Sequence, residues 1–152
     1  MATMSVYWFG KGLEHFKRGN VDWIGDTIKV ALFTGTFSPN QDTDEFFNSL
    51  TNEVSGASEG YTTGGEVLAN KTLTYAARVV TLDGDDVSYD DEGSSAITAQ
   101  YAVIYVDGTT PGTDDYVLGY GDLGAEQTSD GAPWAVNWHL DGILRTTATQ
   151  QV

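Results

Sequence analysis

Three glycines, Gly119, Gly121 and Gly124, have the spacing of the glycine-rich turn that binds dinucleotides. In that motif a helix begins within the turn, so that the positive end of its dipole meets the pyrophosphate. Residues 125–133 (AEQTSDGAP) follow here, and their composition predicts a loop instead of a helix. The match is therefore interpreted as accidental, and no dinucleotide or other cofactor is expected.

An acidic cluster in the second half of the chain is the next candidate for chemistry. Calcium prefers several hard oxygen ligands, so a calcium-binding loop is physically possible here. The spacing lacks the Gly and the terminal Glu that an EF-hand places at fixed offsets. Solvated carboxylates in turns are the simpler interpretation, and no metal is expected. The members are Asp83, Asp85, Asp86, Asp90, Asp91 and Glu92.

The remaining residues form no recognisable catalytic constellation. His15 and His139 are far apart in sequence, and His139 is expected on the polar face of a strand. No Ser stands in a nucleophile elbow, and the absence of Cys excludes thiolate metal sites, cysteine nucleophiles and disulfides. With 22 acidic residues, a chance pair of carboxylates carries no information about glycoside hydrolysis. A non-enzymatic protein is therefore expected.

The formal net charge of −15 arises from 22 acidic and 7 basic residues. Such a surface repels nucleic acid and anionic membranes, because both are bound through Lys and Arg. No segment approaches 18 apolar residues, and the first residues lack the basic-then-apolar pattern of a signal peptide. We therefore expect a soluble protein made in the cytoplasm, with no nucleic-acid or membrane partner.

Residues 96–106 (AITAQYAVIYV) form the longest segment that is apolar on both faces, which predicts the central strand of one core. Strict alternation places one set of five side chains on a common face. That set is Ile97, Ala99, Tyr101, Val103 and Tyr105.

Further strands are predicted at 27–33, 67–74, 78–82, 87–89, 116–120, 134–140 and 142–146, and a single short helix at 42–47. In the 134–140 strand, the alternation puts Trp134, Val136, Trp138 and Leu140 on one face. Many short strands without helix–strand repetition predict an all-β fold. The expected architecture is a single antiparallel β-sandwich, jelly-roll or Ig-like, with one short helix and an N-terminal arm.

Residues 1–25 are predicted to form this N-terminal arm, and residues 26–152 the β-sandwich domain. The arm has a rough helical spacing of aromatic residues, but Gly10, Gly12 and Gly19 disfavour one long helix. A short helix or an irregular wrap is expected. The arm either covers this protein's own sandwich or docks on a neighbouring subunit. The candidate partner-binding residues are Tyr7, Trp8, Phe9, Lys11, Phe16, Lys17 and Arg18.

Several stretches between about residues 21 and 144 together resemble a family of small virion proteins of tailed bacteriophages. They are 28–34 (IKVALFT), 40–43 (NQDT), 51–56 (TNEVSG), 60–65 (GYTTGG), 68–72 (LANKT), 85–88 (DDVS), 102–105 (AVIY), 118–120 (LGY) and 142–144 (GIL). The resemblance implies a structural protein of the virion, assembled in the host cytoplasm, and supplies no catalytic residues. Capsid decoration is the favoured role, with a neck or tail appendage as the alternative.

The implied partner is the major capsid protein or another virion protein. A homo-oligomer is expected, and capsid symmetry favours a trimer. The arm is hypothesised to meet an acidic or apolar groove on the capsid or on a sister subunit. The rival hypothesis is a fibre-associated module that binds host-surface carbohydrate, with Trp134, Tyr61 and Tyr89 stacking on sugar rings.

Overall fold

The computed structural model describes residues 3–55, 60–90 and 96–150. Within these ranges the chain forms eleven β-strands, one α-helix and one 3-10 turn, so the predicted all-β fold is confirmed. The elements are β1 Thr3–Met4, β2 Val6–Trp8, α1 Gly10–Lys17, β3 Ile28–Phe33, the 3-10 turn Phe47–Ser49, β4 Glu66–Val67, β5 Thr72–Ala76, β6 Val79–Asp83, β7 Val87–Tyr89, β8 Thr98–Val106, β9 Val117–Thr128, β10 Trp134–Trp138 and β11 Leu144–Thr147.

The strands form a sandwich-like arrangement of one large and two small sheets. The large sheet has the order β2-β9-β8-β3-β4, and the small sheets have the orders β1-β10-β7 and β11-β6-β5. Every pairing among these strands is antiparallel except that of β1 with β10. The prediction that residues 96–106 form the central strand is confirmed, because β8 occupies the middle of the large sheet.

The prediction that five side chains of β8 share one face is wrong. Ala99 shares the main core with Ala102 and Ile104, whereas Tyr101 packs against the second cluster. The change of face lies where the pairing of β8 with β9 shifts register, between Ala99 and Tyr101. Strict alternation over the whole segment missed this change.

The large sheet is buried on both faces. In β3, Val30 and Leu32 belong to the main core, whereas Ala31 and Phe33 belong to a second cluster. The small sheets supply most of the cover on the first side, through residues such as Trp134. Segments before β3 and between β3 and β4 cover the other side. The apolar residues of that cover are Phe9, Phe37, Phe47 and Leu50.

The helix predicted at 42–47 is wrong. The side chain of Asn40 accepts hydrogen bonds from the backbone nitrogens of Asp42 and Thr43, and Asp44 Oδ2 accepts one from Asn40 N. These side chains stabilise a turn, because Asn and Asp compete with helical hydrogen bonds through their own acceptors. Only the 3-10 turn Phe47–Ser49 follows.

Three strand boundaries also differ from the predictions. The strand expected at 67–74 is divided into β4 and β5, and β9 continues through the segment expected to be a loop as far as Thr128. The strand expected to end at Leu140 ends at Trp138. Leu140 follows it in a turn and is fully exposed, so its predicted place on the buried face is wrong.

Candidate interaction surface

The N-terminal segment lies on this protein's own sheets. Strand β1 pairs with β10, β2 forms one edge of the large sheet beside β9, and α1 packs on β9. Phe9 is completely buried, and its backbone nitrogen donates a hydrogen bond of 2.9 Å to Leu118 O. The segment predicted as an arm therefore contributes strands to two sheets and an aromatic side chain to the core.

Two of the other candidate aromatic residues also pack against this protein's own core. The rings of Trp8 and Phe16 lie 5.7 Å apart, and both pack against the main core. Tyr7 is 53% exposed, with its ring 5.5 Å from that of Tyr120. Among the candidate aromatic residues, Tyr7 thus leaves the largest surface for a partner.

Glycine explains why a helix forms in this segment. A Cβ on Gly12 would lie 2.2 Å from the carbonyl oxygen of Val117 and 2.7 Å from the Cα of Leu118. Any other residue would push the helix away from β9. The glycine that argues against a helix on propensity is the one that lets α1 lie directly on the sheet.

The outer side of α1 and the residue after it carry three of the chain's seven basic residues, Lys11, Lys17 and Arg18. Lys17 and Arg18 are exposed. Glu14 lies between Lys11 and Arg18. Its carboxylate is 3.5 Å from Lys11 Nζ and 3.0 Å from the guanidinium of Arg18. The charge of Lys11 and then the hydrogen bond from Arg18 hold the pKa of Glu14 below its ordinary value. We call Lys11, Lys17 and Arg18 the N-terminal basic face, and Tyr7, on β2, is the exposed aromatic residue of the same segment.

His15, on the same helix, has a structural role. Its Nε2 lies 2.8 Å from Glu45 Oε1, its Nδ1 lies 3.0 Å from the amide of Asn20, and its ring stacks on Tyr116 at 3.9 Å. His139 is exposed as expected, but it lies just after the end of β10, so its predicted place on the face of a strand is wrong. Within the described ranges, no group of three or more His, Asp or Glu side chains is arranged to hold a metal ion.

The described residues of the acidic cluster accept hydrogen bonds that stabilise the loop in which they lie. Asp86 Oδ1 accepts a hydrogen bond of 2.9 Å from Trp138 N, and Asp85 Oδ2 accepts one of 2.6 Å from Asn70. The backbone oxygen of Asp83 accepts a hydrogen bond from the indole of Trp23. Asp91 and Glu92, the other end of the proposed calcium loop, lie outside the described residues.

The three aromatic residues proposed to stack on sugars are buried, so that assignment is wrong. Trp134, Tyr61 and Tyr89 are each at most 3% exposed. The hydroxyl of Tyr61 donates a 2.6 Å hydrogen bond to Glu53 and accepts one from Leu32 N, and that of Tyr89 donates to a backbone carbonyl. Sequence proximity to turns did not reveal that these rings point into the core.

A shallow cleft that sequence reasoning missed lies between β2 and the turn that precedes β11. Its lining includes Trp8, His139, Asp141 and Arg145. Asp141 Oδ2 lies 3.5 Å from both His139 Nδ1 and the guanidinium of Arg145. An aromatic ring beside a mixed set of charged groups is a composition that suits a polar ligand. No sequence signal could identify the cleft, because its residues are more than 130 positions apart.

Searches against protein-family models, curated proteins and solved structures found no match to this chain. In the described ranges, no helix has the length and apolar character needed to cross a membrane. The described residues form a sandwich-like all-β fold, in a chain with a net charge of −15 and three basic residues at its N-terminal helix.

Proposed function

We propose that this chain is a non-enzymatic structural protein of a tailed-bacteriophage virion, and that it decorates the capsid by binding the major capsid protein. The proposal starts from the resemblance expected from the sequence stretches quoted above, and one structural observation supports it, the concentration of basic residues at the N-terminal helix of an otherwise acidic protein. The proposed location is the assembled virion, formed in the host cytoplasm.

The N-terminal basic face is the observation that carries the proposal. Because the chain has a net charge of −15, most of its surface is expected to repel an acidic protein. An acidic partner should therefore bind where the basic residues are concentrated. Lys17 and Arg18 are exposed there, and Tyr7 adds a half-exposed aromatic ring. Aromatic and Arg side chains are the usual anchors of protein interfaces.

A capsid lattice would strengthen such a contact through repetition. One basic face is expected to bind its partner weakly, because a single exposed ion pair contributes little binding free energy. An oligomer that engages several lattice sites raises the effective concentration for its second and later contacts. The homo-oligomer expected from the sequence therefore fits this role.

Co-sedimentation with empty shells of the phage's major capsid protein tests the proposal. The wild-type protein should sediment with the shells, and Arg18→Glu should lower its affinity about tenfold, most clearly at low salt. Arg145→Glu is the matched control, because it reverses one charge at an exposed Arg that lies on strand β11, away from the basic residues of α1. Equal binding of the wild type and both variants would contradict the assignment of the face.

The neck or tail appendage remains the alternative position. Immunogold electron microscopy of whole particles separates the two, because gold should lie over the head for a decoration protein and at the neck or tail for an appendage. Absence of the protein from purified particles would contradict both positions.

The cleft between Trp8 and Arg145 supports a second candidate, the carbohydrate-binding module. A sugar could stack on the indole while Asp141 and His139 accept or donate hydrogen bonds. A glycan array with the wild type and Asp141→Ala tests it. Binding of a glycan by the wild type, lost in the variant, would favour this function over capsid decoration.

A further inference from the structure

Strand β5 is an open edge of the sheet β11-β6-β5, and all five of its residues are exposed. Leu73 and Tyr75, two residues apart, lie on the same side and are 46% and 68% exposed. Residues 72–77 carry no charge in a chain whose net charge is −15. A long, uncharged and apolar edge is a template for pairing with another strand.

Within the described ranges, the other open edges are protected in ways that β5 is not. Strands β1 and β4 have two residues each, and β2 and β7 have three each, which limits any added pairing. The part of β9 beyond β2, residues 122–128, carries the charges of Asp122 and Glu126. The outer side of β11 meets Trp8, whose indole Nε1 donates to Arg145 O. Natural proteins use short edges, charges and coverage to prevent edge pairing. Strand β5 lacks these protective features, so its edge is available for pairing with another strand.

We propose that β5 pairs antiparallel with β5 of a second copy of this chain, about a two-fold axis at Thr74. In this register Leu73 of each copy lies opposite Tyr75 of the other, on one face of the combined sheet. Each exposed apolar side chain is thereby covered by its counterpart, and such cross-strand pairs stabilise sheets. The result is a continuous six-stranded sheet, with the two β11 strands at its outer edges.

The charges at the two ends of β5 favour a second copy over an unrelated strand. Arg78 lies in the turn after β5, and Asp85 is held beside the start of β5 by its hydrogen bond with Asn70. Antiparallel pairing about Thr74 places the turn that carries Arg78 near the start of β5 of the other copy, where Asn70 and Asp85 lie. The long Arg78 side chain of each copy then reaches the Asp85 carboxylate of the other. Lys71, immediately before β5, directs its ammonium to the backbone oxygen of Asp26 in its own copy, so Arg78 and Asp85 are the opposite charges that the two ends of the edge offer to a second copy.

The turn that presents Arg78 is strained. Ala77 and Arg78 join β5 to β6, and both have positive φ values, 50° and 70°. Asn and Gly are favoured at both positions of such a turn, because larger side chains are disfavoured at positive φ. An Arg that occupies such a disfavoured position fits a functional role for its side chain, here an intermolecular role for its charge.

This inference does not rest on the role in a virion. A two-fold pair of edge strands makes a dimer, so it differs from the trimer expected from capsid symmetry. Loss of capsid binding with retention of the dimer would count against the proposed function alone. Loss of the dimer with retention of capsid binding would count against this inference alone.

Cysteine cross-linking tests the register directly, because the chain has no native cysteine. In the proposed pairing the two copies of residue 74 have Cα atoms about 4.5–5.5 Å apart, which suits a disulfide. The two copies of residue 72 are offset by roughly 13 Å along the strand. Mild oxidation should link Thr74→Cys into a dimer and leave Thr72→Cys monomeric on a non-reducing gel. A mixture of Thr72→Cys and Ala76→Cys should also link.

Analytical ultracentrifugation of the full chain tests the contacts. Tyr75→Lys should weaken the dimer at least about tenfold, although it lowers the net negative charge. The matched control Leu140→Lys adds the same charge at a fully exposed turn residue and should leave the dimer unchanged. Arg78→Glu should weaken the dimer roughly tenfold, and Arg78→Glu with Asp85→Lys should restore it.

Three results would overturn the inference. The first is a wild-type protein that stays monomeric at concentrations of about 100 μM, which leaves β5 to a strand of another protein. The second is a trimer. The third is a dimer in which Thr72→Cys cross-links as well as Thr74→Cys, or in which Tyr75→Lys has no effect.

Discussion

The indole Nε1 of Trp8 donates a hydrogen bond of 3.1 Å to the carbonyl oxygen of Arg145, across 137 positions of sequence. This contact joins the segment predicted as an N-terminal arm to β11, as expected for the alternative in which the arm covers this protein's own sheets. Together with the pairing of β2 and β9, it makes the beginning of the chain part of the folded unit. A deletion of residues 1–20 would remove these contacts, so the docking role of this segment must be tested with point variants.

Phe9→Ala should lower the free energy of unfolding by about 3–5 kcal/mol, because the ring is completely buried and its removal leaves a cavity. Tyr7→Ala, two residues earlier, should cost far less, because about half of that side chain is exposed. Urea denaturation followed by Trp fluorescence measures both. Similar small losses for the two variants would indicate that the segment is a detachable arm.

Gly12→Ala should destabilise the protein by about 1–3 kcal/mol, although alanine is the better helix former. The added methyl group would meet the backbone of β9 at Val117, which cannot move without disturbing the large sheet. Lys17→Ala, on the exposed side of the same helix, should change stability by less than about 0.5 kcal/mol. Thermal unfolding measured by circular dichroism distinguishes them, and a stabilised Gly12→Ala would contradict the packing of α1 on β9.

The sequence was sufficient to predict the all-β class, the central strand and most of the other strands, because these depend on alternation of apolar residues. The register shift between β8 and β9 could not be predicted, since it depends on how β9 pairs and not on β8 alone. For residues 1–25 the sequence left a short helix or an irregular wrap open, and the short helix α1 is found. The close packing of Gly12 on β9 could not be predicted, because helix propensity does not contain it.

The candidate site was predictable only in part. The cluster of Lys11, Lys17 and Arg18 is visible as a charge pattern. The burial of Phe9 and of the proposed sugar-stacking residues depends on which side of a sheet they face, which residue type and nearby turns do not reveal. The open edge of β5 requires knowledge of the strand order.

Stability should fall at alkaline pH because of Tyr61 and Tyr89. Burial raises the pKa of Tyr89 well above its ordinary value, and burial followed by the hydrogen bond to Glu53 raises the pKa of Tyr61. Both rings ionise near pH 10 in the unfolded chain, so their contribution is fully present below about pH 10 and is lost as the pH rises further. Above pH 10, each tyrosine should lower the free energy of unfolding by up to about 1.4 kcal/mol per pH unit.

Urea titrations between pH 8 and pH 11 test this dependence. Tyr61→Phe should be less stable at pH 8 by about 1–3 kcal/mol, because Leu32 N loses its acceptor, and its stability should fall less steeply above pH 10. An identical slope in the wild type and Tyr61→Phe would contradict the assignment.

Asp86→Ala should lower stability by about 1–2 kcal/mol, because Trp138 N loses its hydrogen-bond acceptor. Asp86→Asn retains an acceptor oxygen and should stay within about 0.5 kcal/mol of the wild type. Thermal unfolding with and without calcium measures both, and added calcium should leave the order unchanged. A calcium-dependent rise in Tm that both substitutions abolish would show that this loop binds the ion.

Electron cryomicroscopy of purified virions tests the proposed function most directly. We expect density matching this sandwich-like fold on the outer surface of the head, with Tyr7, Lys17 and Arg18 directed towards the major capsid protein. Heads that lack this density, or density in which the N-terminal basic face points to solvent, would contradict it.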